Sequence, residues 1–129
     1  MCKHLFCRMP PLERWDLLAM RVRCALYPDD PRVIDHLFTM GGWLHQNGDA
    51  CAWDVAHRTA ALLIGTAEDT ALPWQWRCQC LDHVARPLGV MQHIGRMSDA
   101  PPHLSSEYRR ITQALMQRLS ALEIHRESW

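Results

Sequence analysis

Two clusters in this sequence carry donor sets that a zinc ion could use: Cys2-x-His4-x-x-Cys7 and Cys78-x-Cys80-x-x-His83. Zinc takes four sulfur or nitrogen ligands in a tetrahedron, usually supplied as two closely spaced pairs. Cys80 and His83 are three apart, so on a helix they share a face. The first residues, 1–9, read as a flexible strip able to wrap a metal from the other side. Neither cluster has the familiar C-x-x-C spacing, and Cys78 and Cys80 on one helix point about 200° apart. The plainer reading is a pair of small buried hydrophobes beside a surface histidine.

Nucleophilic chemistry has weaker support. Cys51, Asp54 and His57 step along one expected helix at i, i+3 and i+6. A cysteine needs its base within hydrogen-bond reach, and Cys51 and His57 are separated by about 9 Å of axial rise alone. Asp35-His36 and Asp82-His83 are adjacent pairs, whose members do not face each other on a helix. No glycine-rich phosphate loop, H-E-x-x-H or G-x-S-x-G is present, so neither nucleotide binding nor these hydrolytic chemistries is indicated.

Recognition has the stronger composition. The chain holds six Trp against two Phe and two Tyr. Indole is large and apolar and carries one donor, so each ring needs a surface to cover. Lys3 is the only lysine, and the other 13 of 14 basic residues are arginine. Arg, Trp and Met are enriched at the centres of protein interfaces, although coding bias in a GC-rich source also yields an arginine excess. Trp74-Gln75-Trp76-Arg77 concentrates the signal. Its two tryptophans point to different sides of a helix, so either that helix is buried on several sides or part of the patch meets a partner. Trp129 joins the candidate set, because chain ends are usually mobile unless docked.

The elements that must position these residues are helices. Over 11–26, Leu12, Trp15, Leu18, Ala19, Val22, Ala25 and Leu26 form one apolar stripe, and Pro11 suits a first turn. Asp30 and Pro31 open a second helix whose stripe is Val33, Ile34, Leu37, Phe38, Met40 or Gly41, and Leu44. Gly41-Gly42 interrupts it and implies a close crossing or a break before Trp43. Asn47-Gly48 ends it. Asp49 is expected to cap a third helix over 50–64, with Trp53, Ala56, Ala60 and Leu63 inward and Gly65 as its stop, followed by a loop over 66–72. A fourth helix spans 73–85. Pro87 either starts a fifth or kinks the fourth. Ser98-Asp99-Ala100-Pro101-Pro102-His103 is a stiff turn before a last helix over 106–126. No strand-like alternation or internal repeat is present.

The expected fold is therefore all-α, a single-domain bundle of five or six helices with short connections. The 129 residues suit one domain, and formal net charge is zero. A neutral chain lacks the excess cations that capture nucleic acid broadly. Arg109, Arg110, Arg118 and Arg126 are interleaved with Glu107, Glu123 and Glu127, which disfavours a DNA-binding face. The opening residues lack the apolar core of a signal peptide, and the longest apolar run, 60–64, is far too short to cross a bilayer. A cytoplasmic protein with mostly reduced thiols is expected. The functional expectation is a non-catalytic protein–protein interaction module, a stoichiometric inhibitor or adaptor. It would bind another protein, or a second copy of itself, through Trp74, Trp76, Arg77 and Trp129, with no cofactor. The alternative is a small zinc-stabilised domain, with nucleic acid among its candidate ligands, drawing on Cys2, His4, Cys7, Cys78, Cys80 and His83.

Overall fold

The computed structural model describes residues 9–97 and 101–129, and of Glu127 only the backbone. Within these residues the chain forms α1 (Pro11–Arg23), α2 (Arg32–Gln46), α3 (Ala52–Glu68), α4 (Trp74–His83), α5 (Ala85–Arg96) and α6 (Pro102–His125), then a 3-10 turn at Arg126–Ser128. No strand occurs among the described residues. The all-α bundle expected from periodicity is the architecture observed. The reading of residues 1–9 as a strip falls almost wholly outside the described residues.

The third helix is the centre of the bundle and packs against every other helix. Its sequence explains why. Trp53, Ala56, Thr59, Ala60, Leu63, Ile64, Thr66 and Ala67 are all buried, more than one stripe can hold. The small side chains among them let neighbouring backbones approach closely. The buried hydroxyls do not oppose this, because Thr59 and Thr66 each donate to the carbonyl four residues earlier, at 2.7 Å. The last helix is anchored where the Tyr108 ring stacks on Trp53, with centroids 4.0 Å apart.

Helix ends depart from expectation for local physical reasons. The first helix stops at Arg23 instead of Leu26. Ala25 takes a left-handed conformation (φ 50°), its N–H bonds to the Val22 carbonyl, and the Leu26 N–H bonds to the Arg21 carbonyl. This Schellman arrangement satisfies the open carbonyls of the last turn. At the start of α2, Asp30 accepts the Arg32 N–H at 3.1 Å and the Arg32 guanidinium at 2.8 Å, and the hydrogen bonds from Arg32 hold its carboxyl below the ordinary range. Cys51, not Asp49, caps α3, its sulfur accepting the Asp54 N–H. That helix runs through Gly65 to Glu68 because Thr66 and Ala67 have core to face. Of the two alternatives at Pro87, the structure shows a separate fifth helix. Its ring cannot tolerate the carbonyl of His83 in a continuous helix, so α4 ends at His83 and α5 begins two residues later.

The glycine pair resolves as a crossing. Helix α2 continues through both glycines to Gln46. A Cβ on Gly41 would lie 2.7 Å from Val55 Cγ1, whereas one on Gly42 would meet nothing within 4 Å. Alanine raises helix propensity at either site by up to about 1 kcal/mol. At Gly41 that gain is outweighed by overpacking of about 1–3 kcal/mol against a stiff β-branched neighbour. We therefore expect opposite signs at adjacent positions. In urea titrations, Gly41→Ala should lower the unfolding midpoint and Gly42→Ala should raise it.

Candidate partner-binding groove

The structure separates the tryptophan–arginine patch. Trp74, at the first turn of α4, is 60% exposed. Trp76 is completely buried, and its indole N–H donates to the Val22 carbonyl at 2.9 Å. It therefore belongs to the core that joins α1 to α4, which corrects its assignment to a binding surface. Arg77 is also buried. Its Nε–H donates to the Ala67 carbonyl at 2.7 Å, in the last turn of α3, where open carbonyls and the negative end of the helix dipole favour a cation. The half-buried Trp129 ring lies 3.9 Å from the Arg77 guanidinium carbon. Arg77 and Trp129 thus engage each other instead of forming a free gripping pair.

Of the zinc candidates, Cys78, Cys80 and His83 fall within the described residues. Cys2, His4 and Cys7 lie outside the described residues. Cys80 has no exposed surface, and burial pushes its thiol up to about 12, so in this structure it packs as a neutral core side chain. Cys78 lies beside the Arg126 guanidinium. His83 places Nδ1 2.7 Å from the Gln79 carbonyl, a pairing that needs the proton on Nδ1. Among the described residues, no group of three His, Cys, Asp or Glu side chains is placed to hold a metal ion.

A different feature emerges between α2, α3 and α5. Phe38, Gly41, Gly42 and His45 of α2, Ala52, Val55, Ala56 and Thr59 of α3, and Arg86, Pro87 and Val90 of α5 line a groove of 260 Å³. On α2 and α3 these residues recur at i, i+3, i+4 and i+7, the spacing of a helix face that packs against another helix. Gly41, Ala56, Thr59 and Pro87 are its buried lining, Phe38, Ala52 and Val55 are half-buried, and Gly42, His45, Arg86 and Val90 are exposed along it. Arg86 lies over the Phe38 ring, its guanidinium carbon 4.3 Å from the centroid, and the His83 ring packs near the same phenyl group at 6.3 Å. Phe38 is thereby held from two sides. The sequence signals this site only through Gly41-Gly42, whose second glycine faces open space.

No family model matches the chain, and no curated protein or solved structure matches it. Among the described residues, no helix is long and apolar enough to cross a membrane.

Proposed function

We propose that this protein is a non-catalytic module, an inhibitor or adaptor, that binds another protein by receiving one of its helices in the α2–α3–α5 groove. The observation that carries this reading is the convergence of three helix stripes on a trough that no described element covers. In helical bundles such a trough is filled by a further helix. Its volume of 260 Å³ is below the roughly 300–1,000 Å³ typical of small-molecule sites and suits one or two inserted side chains. Apolar anchors at i, i+3, i+4 and i+7 would enter it, as in other helix-in-groove recognition. We place the module in the cytoplasm, where exposed thiols such as Cys24 and Cys51 stay reduced.

The test is selection from a phage-displayed library of 16-residue amphipathic helices, with Gly42→Leu as the counter-screen. Leucine at position 42 enters the trough without meeting neighbouring atoms at its Cβ. Clones should bind the unmodified protein at least about tenfold more tightly than the Gly42→Leu variant, a difference of ~1.4 kcal/mol. Failure to enrich any clone, or equal binding to both proteins, would overturn the assignment of the groove.

A further inference from the structure

We infer that the helix received by this groove carries a carboxylate at the position facing Arg86, so that its partners are acidic amphipathic helices. This rests on the groove being a helix-binding site and adds the chemistry of its occupant. The lining contains two groups able to carry positive charge, His45 and Arg86, and no Asp or Glu. Arg23, Arg32, Arg110, Arg118 and Arg126 each pair with a carboxylate of the chain itself. Arg86, like Arg21, Arg58, Arg96 and Arg109, has no such pair among the described residues, but it alone of these lines the groove, where it lies over the face of Phe38. A cation–π contact uses none of the guanidinium N–H donors, and those donors match a carboxylate in a planar fork.

The charge pattern then decides among occupants of similar shape. A neutral helix seated here would remove water from Arg86 without replacing its hydrogen bonds, which is costly. A basic helix would bring like charges together over the apolar lining. An acidic residue offsets the desolvation and favours the register that brings it to Arg86 while the apolar anchors occupy the trough.

The same displayed library tests this with an outcome distinguishable from failure of the groove assignment. Clones that lose binding on Gly42→Leu should show Asp or Glu at one fixed register position. Arg86→Glu, checked for an unchanged circular dichroism melt, should select Lys or Arg at that position from the same library. For one synthesised acidic clone followed by fluorescence anisotropy, Arg86→Gln, or replacement of the peptide carboxylate by its amide, should each weaken binding about tenfold, and the two together little more than either alone. Clones blocked by Gly42→Leu but without an acidic preference, or indifferent to Arg86→Gln, would overturn the inference and leave the groove assignment standing. Clones indifferent to Gly42→Leu would overturn both.

Discussion

Trp76→Ala should unfold this protein, or leave it so close to its threshold that the helical signal melts at low urea. Deleting a fully buried indole costs about 3–5 kcal/mol through lost transfer energy and the cavity left behind. The lost hydrogen bond to the Val22 carbonyl adds about 1 kcal/mol. Domains of this kind are stable by only about 5–15 kcal/mol, so the substitution consumes a large part of the total. Two companions separate packing from the polar contact. Trp76→Phe keeps most of the volume and should lose only about 1–2 kcal/mol. Trp74→Ala removes a ring that is 60% exposed and should change stability by less than ~0.5 kcal/mol. Equilibrium urea unfolding followed by circular dichroism measures all three. A Trp76→Ala variant that melts like the parent would show that this indole does not tie α1 to α4.

The contrast between these neighbours also shows which features are legible in the sequence. Where a helix buries one face, its residues announce it. Trp15, Leu18 and Val22 recur at three and four and all reach the core, as do Ile34, Leu37 and Leu44 on α2. The ten-residue α4 is different. It is enclosed by the α1 end, by α3 and by the Trp129 ring, so Trp76, Arg77, Cys80 and Leu81 are buried on more than one side. Such a helix has no clean stripe, and local spacing cannot distinguish a ring facing solvent from one facing a second neighbour. Tertiary packing likewise carries α3 through Gly65, overriding the local preference of glycine for a stop. The groove was less visible still. Gly41-Gly42 predicts closeness, but the lining from α3 and α5 arrives through long-range packing that no single segment encodes.

Arg77→Met should destabilise the protein by about 2–4 kcal/mol, and part of that loss should depend on Trp129. Methionine preserves much of the side-chain length but removes the donor and the charge. The Ala67 carbonyl, held at 2.7 Å by the guanidinium, would be left in a crowded helix end, at about 1–3 kcal/mol for an unsatisfied buried polar group. The cation–π contact with Trp129, at 3.9 Å, contributes about 0.5–2 kcal/mol. Arg77→Lys restores the charge but not the planar fork and should recover only part of the loss. A double-mutant cycle with Trp129→Ala isolates the contact. Because Trp129→Ala alone already removes the ring, the double variant should fall short of the summed losses by about 1 kcal/mol. The 126–129 segment is also held by Arg126 on Asp82 at 2.7 Å, so Trp129→Ala should leave that ion pair in place and loosen only the ring's own seat. Strict additivity in the cycle would mean that the indole and the guanidinium do not support each other.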